Sequence, residues 1–193
     1  IPMGVLAATR RGSVTDKLVM LFAVFGQGMP VFWLGLLLIL FFAVDLHLLP
    51  VGGRGTPAQL VLPTITVALY TLARTAKLTR SSMIEVLGQD FVRTAHAKGL
   101  ANRVVLSRHA LRAAAVSIVT IVGLTFSALI GGAVITETIF AWPGVGRLLV
   151  QAVGFRDYPV VQATVFIIAI FVAVINLLTD LLYAYLDPRI KYG

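Results

Sequence analysis

The sequence predicts an all-α integral membrane protein, a polytopic helical bundle with four full spans and a partial one at its start. Three observations predict it. Of the 193 residues, 59% are hydrophobic and the mean hydropathy is +0.95, whereas a soluble domain holds about 45–50% apolar residues. Four uncharged runs reach the roughly 18 residues a helix needs to cross a bilayer. The sixteen Lys and Arg are also segregated along the chain as a membrane topology requires.

The elements follow in order. Ile1–Ala8 reads as the last turns of an earlier span. Leu18–Val44 carries no charge, with Gly26, Gly28 and Pro30 breaking its helix. Thr56–Ala73, with Pro57 and Pro63 near its start, continues toward Leu78. Ala113–Thr136 is uncharged and rich in small residues. Tyr158–Thr179 is uncharged, and its apolar pattern resumes after Asp180 as far as Leu186.

Charge sets the expected orientation. Thirteen of the basic residues lie in 9–17, 74–112 and 187–193; three, Arg54, Arg147 and Arg156, lie in 45–57 and 137–157. Lys and Arg are retained on the cytoplasmic side. The segment 77–112 and the C-terminus are therefore expected in the cytoplasm, and the loop 137–157 outside the cell membrane. Topology accounts for the net charge of +8, and few aromatics interleave with the basic residues, so a nucleic-acid partner is not indicated. With no cysteine, disulfides and thiol chemistry are excluded. His47, His96 and His109 have no ligand spacing, so no metal site is expected.

The segment 77–112 is long and patterned for a membrane loop. Asp90 is expected as an N-cap and Gly99 as a C-terminal stop, enclosing a helix of about two turns. Phe91, Ala95 and Lys98 share one face at i, i+4 and i+7, with Thr94 beside them. Asn102 is expected to cap a second helix running toward 113–136. Such a short transverse helix suits docking of a cytoplasmic partner. It also suits an interfacial helix on anionic lipid, and the pattern alone leaves both open.

The run DFVRTAHAKGLANRVVLSRHALRAA (90–114) resembles the cytoplasmic loop of ABC importer permeases. Aligned on Gly99, Arg93-Thr94-Ala95 stands in the place of that family's EAA signature, and His109, Leu111 and Arg112 in the place of its later I-x-L-P. Ala95, Gly99 and Leu111 match the general form, while the departures match the peptide-type branch. PVFWLGLLLILFF (30–42), LHLLPVGGRG (46–55), ETIFAWPGVGRLLVQAV (137–153), RDYPVVQ (156–162) and DLLYAYLDPRI (180–190) extend the resemblance to the dipeptide/oligopeptide/nickel permease family over nearly the whole chain. The WPGVG element resembles the first of its two membrane subunits.

The resemblance implies one permease domain over 1–193, with further spans upstream of Ile1. It implies no enzymatic activity in this chain. No GxxxxGK[ST] loop is present, so ATP would act through separate cytoplasmic ATP-binding subunits, with no cofactor bound here. Further implied partners are a second permease subunit, an extracytoplasmic solute-binding protein and the lipid bilayer of a prokaryotic inner membrane. Asp90, Phe91, Arg93, Thr94, Ala95, Ala97, Lys98, Gly99 and Leu111 would couple to the ATPase. Phe91 would be the apolar anchor, and Ala95 and Gly99 would permit close approach.

Trp142-Pro143-Gly144-Val145-Gly146 predicts a broken, non-helical or re-entrant element, allowed at membrane depth only where it is buried in protein or lines water. Trp142, Pro143 and Gly144 are candidates for a gate, and Gly131 and Gly132 for the translocation path. Glu137 reads as a charge at a span end, and Asp180 as a structural hydrogen-bonding residue. An ion-coupled secondary transporter is the alternative, but it calls for several intramembrane acids and an internal repeat. An intramembrane hydrolase would need a base beside Ser117 or Ser127, and no His or Lys lies in an apolar core.

Overall fold

The computed structural model of the protein describes residues 1–186, apart from the side-chain surroundings at 124, 127, 128, 130, 131 and 183–186. Gly131 and Tyr183 therefore lie outside the described side chains, and Arg189 and Lys191 outside the described residues. Among those described, the secondary structure is helical, with no strand. The chain forms two compact units.

The first unit comprises Ile1–Phe25, Leu72–Leu124 and the chain from Leu177 on. It holds α1 (Pro2–Thr9), most of α2 (Val14–Gly28), the second half of α4 (Ala58–Leu87), all of α5 (Asp90–Ala97) and α6 (Asn102–Val104), and the start of α7 (Leu111–Ile139). Pro2 starts α1, where its missing N–H costs nothing. Ser13 starts α2: its hydroxyl lies 3.3 Å from the Asp16 amide, while the Asp16 carboxylate accepts the Gly12 N–H at 2.9 Å. This reciprocal arrangement resembles a capping box. The buried Asp16 also pairs with both prongs of the Arg80 guanidinium, Nη2 at 2.8 Å. At Gly4 a Cβ would stand 2.6 Å from the Ala76 carbonyl oxygen, so α1 lies directly against the backbone of α4. Ala8, Met83, Val86, Ala110, Ala114 and Ile118 form the core.

The second unit comprises Gly26–Thr71 and Thr125–Asn176. It holds α3 (Val31–Leu38), a π-helical turn Ile39–Asp45, the start of α4, the end of α7, α8 (Val145–Phe155) and most of α9 (Tyr158–Leu186). Phe140 is its anchor, 1% exposed. Gly53 N–H donates to the Phe140 carbonyl at 2.9 Å, and at Gly52 a side chain would collide with that same oxygen. Gln59 ties the glycine loop down, donating to the Gly52 carbonyl at 3.0 Å and accepting the Thr56 N–H at 2.9 Å. Buried Thr66 and Thr164 donate their hydroxyls to carbonyls one turn back, at 2.8 Å each, which satisfies them within an apolar bundle.

Several boundaries differ from expectation. Leu18–Val44 is not one continuous helix: α2 ends at Gly28 and α3 starts after Pro30. Pro30 lacks the N–H that would continue the helix. The Ala113–Thr136 run sits inside a longer helical stretch beginning at Asn102, with a π-helical turn over Val105–Ala110. Asn102 does not cap it; Ala101 holds the N-cap position. By length and composition, two described helical stretches can cross a membrane, 102–123 and 158–182, and a third if the pair broken at Pro30 is one span. The uncharged part of α4 ends at Ala73, just before Arg74. The loop 137–157 is non-helical only over 140–144 and 156–157, because Gly144 supplies the extended N-cap from which α8 starts.

Candidate functional site: a helix in the basic loop and a glycine-rich helical turn

The helix α5 stands between two glycines. Gly88 ends α4, and Gln89, in extended conformation, is the N-cap of α5. Asp90 is therefore the first helical residue rather than the cap; its carboxylate still favours this end of the helix dipole. It lies 3.8 Å from Arg93, fully in solvent. At the other end Gly99 adopts φ +76°, its N–H donating to the His96 carbonyl at 2.9 Å, a left-handed stop that suits glycine.

The two faces of α5 divide cleanly. Val92 and Ala95 are buried against Val105, with Leu87 beside them. Phe91, Arg93, Thr94, Ala97, Lys98 and Gly99 are exposed. Ala95 thus does not share an outer face with Phe91 and Lys98; three residues after Val92, it points into the protein. His96 strengthens the seating: Nδ1 is 3.0 Å from the Val92 carbonyl and Nε2 3.4 Å from Asn102 Oδ1. Leu111 is not on this surface, but packs against the Met83 and Ala114 core. Beside Phe91 an open groove of about 460 Å³ is lined by Arg108, His109, Arg112 and Ala113, so aromatic and cationic groups meet there.

The turn between α7 and α8 is built around Glu137. Its Oε2 accepts the Arg147 N–H at 2.9 Å, three residues into α8, and its carboxylate fills the space where a Gly144 side chain would stand. Glu137 is thus the remote N-cap of α8 rather than a plain span-end charge. Trp142 N–H donates to the Glu137 carbonyl at 2.8 Å, and the Arg147 guanidinium donates to the Ala141 carbonyl. Ala141 has φ +50°, a strained value for a residue with a Cβ. Gly146 lets α8 close on α7, since a Cβ there would stand 2.6 Å from Val134 Cα. Trp142 and Gly144 are half-buried and Pro143 is exposed.

Gly132 lines a separate cavity of about 200 Å³ with Val31, Val67, Tyr70, Thr125 and Leu129. Asp180 is exposed on α9. Among the described residues no three His, Cys, Asp or Glu come close enough to hold a metal. Sequence reasoning missed Phe140 with Gly52, and the inward role of Val92. The Val92–Ala95 spacing was a signal for the second; nothing in the local pattern signalled the first.

The family described as "Binding-protein-dependent transport system inner membrane component" matches residues 1–192. The chain belongs to this family. It is an inner-membrane, multi-pass component of a binding-protein-dependent transport system. Among relatives of this permease, the dipeptide transport system permease protein DppB of Escherichia coli (strain K12) is 42% identical over 223 residues. The probable peptide ABC transporter permease protein y4tP of Sinorhizobium fredii is 44% identical over 200 residues. Each match takes in 100% of this chain but 66% and 64% of those proteins, so the chain spans just under two thirds of their length. A chain of the MetNI methionine ABC transporter, solved in inward-facing conformations, shares the fold at a TM-score of 0.74 over 96% of this chain and 85% of that one, with 18% identity. The polytopic helical fold is thereby shown, and nothing favours the ion-coupled alternative.

Proposed function

We propose that this permease forms, with a second permease subunit, the path by which an ATP-driven importer takes up peptides or similar small solutes. A solute-binding protein delivers the cargo from outside, and separate cytoplasmic subunits bind and hydrolyse ATP. The peptide assignment is supported by the names of relatives such as the Escherichia coli dipeptide permease and the Sinorhizobium fredii peptide permease.

The observation that carries the coupling role is the division of α5. Its inner face is fastened by Val92 and Ala95 on Val105, while its outer face offers Phe91, Thr94, Ala97 and Lys98. A helix of two turns fixed in this way transmits a push to α4 and α7 instead of absorbing it. Phe91 and the Arg108–Arg112 groove give an ATPase an apolar anchor ringed by positive charge. Ala95 acts by holding the helix in place, and Leu111 by packing the start of α7 on the Met83 core. The long basic loop lies on the cytoplasmic side, by the asymmetry of Lys and Arg. The turn 142–144 gates the translocation path, to which Gly131 and Gly132 belong.

Cross-linking tests the reading. These 193 residues hold no cysteine, so Ala97→Cys adds a single thiol on the outer face. In membranes holding the assembled system, it should cross-link to single cysteines on the ATPase with a yield that changes with ATP. No cross-link from any exposed position over 91–99 in an ATP-responsive system would sink the coupling role.

A further inference from the structure

Two residues, Arg156 and Asp157, join α8 to α9. Arg156 is left-handed with φ 57°. Asp157 donates its N–H to the Ala152 carbonyl at 2.9 Å, and its Oδ1 accepts the Val160 N–H at 3.2 Å. One helix therefore stops and the next starts with no slack between them. At the far end of α8, Val145 and Gly146 share the wall of a cavity of about 230 Å³ with Ile167, Ile168 and Phe171 of α9.

The lengths fix how the two helices run. At about 1.5 Å per residue, Val145 stands roughly 15 Å along the axis from Phe155, and Ile167 to Phe171 stand roughly 13–20 Å from Tyr158. The two match when α8 runs antiparallel beside the first half of α9. From Tyr158 to Thr179, α9 is uncharged, roughly 33 Å at the same rise, which fills a hydrocarbon core about 30 Å thick. A helix beside the outer half of that span lies within the membrane.

We infer that α8 is a re-entrant half-helix whose inner end, capped by Glu137, lies near the middle of the bilayer and whose outer end surfaces at Phe155. The inference rests on α9 as a membrane span and not on the transport reading. The side chains fit the placement. Val145, Leu148, Val150 and Val153 are exposed and apolar, as a helix facing lipid or neighbouring spans requires. Phe155 and Tyr158 are 85% and 69% exposed and mark the headgroup level, where amphipathic aromatics collect. The irregular turn between α7 and α8 spends its amides internally: Ala141, Trp142 and Gly144 donate to the carbonyls of Thr138, Glu137 and Trp142, as backbone at membrane depth must. Glu137 becomes an intramembrane carboxylate, its charge offset by the Arg147 amide and by the positive end of the α8 dipole. It is a positioning residue: it holds the segment 142–146 at depth.

Depth is measurable without depending on local water. Single cysteines at Val145, Leu148, Phe155, Tyr158 and Ile167, in the full-length permease assembled in membranes, would each carry a nitroxide. Gadolinium-chelate lipid confined to the outer leaflet then enhances relaxation according to distance alone. The expected order is strong enhancement at 155 and 158, less at 148, and a value about tenfold or more weaker at 145 that equals the value at 167, given the roughly 15 Å helix length. Equal enhancement at 145 and 155 would mean a helix lying on the surface and would overturn the inference. Weak enhancement at 158 would overturn it as well, because α9 would then begin away from the headgroups.

Discussion

The carboxylate of Glu137 occupies the volume that a side chain at Gly144 would need, and it caps α8 from there through the Arg147 amide. One residue thus explains two features of the WPGVG turn: why a glycine stands third in it, and why a helix follows it.

Gly144→Ala should therefore push the carboxylate off its helix end, with a cost of about 1–3 kcal/mol, as for other overpacked sites. Thermal unfolding of the purified permease should show the loss. Glu137→Gln removes the charge while keeping the volume and should cost less. Glu137→Ala in the Gly144→Ala background should recover part of the loss, because the clash disappears with the carboxylate. Strict additivity of the two single effects would show that the residues do not interact.

A second prediction concerns the faces of α5. Lys98→Glu changes an exposed residue, and thermal stability should stay within about 0.5 kcal/mol. Association with the ATPase, read by co-purification, should weaken. Val92→Asp places an unpaired charge in the Val92–Ala95–Val105 cluster and should lower stability first, with loss of association following. If both variants lose stability alike, α5 has no free outer face.

These two sites show how far the sequence could be read. The last span from Tyr158, the existence of α5, its end at Gly99 and the basic asymmetry follow from hydropathy, glycine punctuation and charge, all of them local, whereas the 56–73 run does not by itself make a helix apolar enough to cross. The inward turn of Ala95 was signalled only by its spacing from Val92. Phe91 and Lys98 are exposed and Val92 is buried, which depends on Val105, a residue in a different helix. The break at Pro30 was legible, since a proline lacks the N–H that would continue the helix. The cap on α8 was hidden because its acid comes from the previous helix, ten residues upstream of the amide it accepts.

The glycine loop gives a third prediction. At Gly52 an added Cβ meets the carbonyl oxygen of Phe140, which is backbone and cannot rotate away. Gly52→Ala should destabilise the second unit and break the Gly53-to-Phe140 hydrogen bond. Phe140→Ala leaves that bond possible but empties a fully buried site, at about 3–5 kcal/mol. Limited proteolysis of the 46–57 loop should speed up in both. Protection equal to the parent in Gly52→Ala would mean that the loop is not fastened to Phe140.

The pairing of Asp16 with Arg80 supports the last prediction. The carboxylate is buried and takes both guanidinium prongs, and it also holds the Gly12 amide. Arg80→Lys keeps the charge but cannot make the planar, two-pronged contact, so its stability should fall between the parent and Arg80→Ala. Asp16→Asn loses the charge and leaves Arg80 without its partner, and it should lower the unfolding temperature more than Arg80→Lys does. Removing both groups together, as Asp16→Asn with Arg80→Met, should cost less than the sum of the single losses, because a buried charge left alone is worse than none. An unfolding temperature that does not respond to Asp16→Asn would show that this ion pair contributes nothing to the first unit.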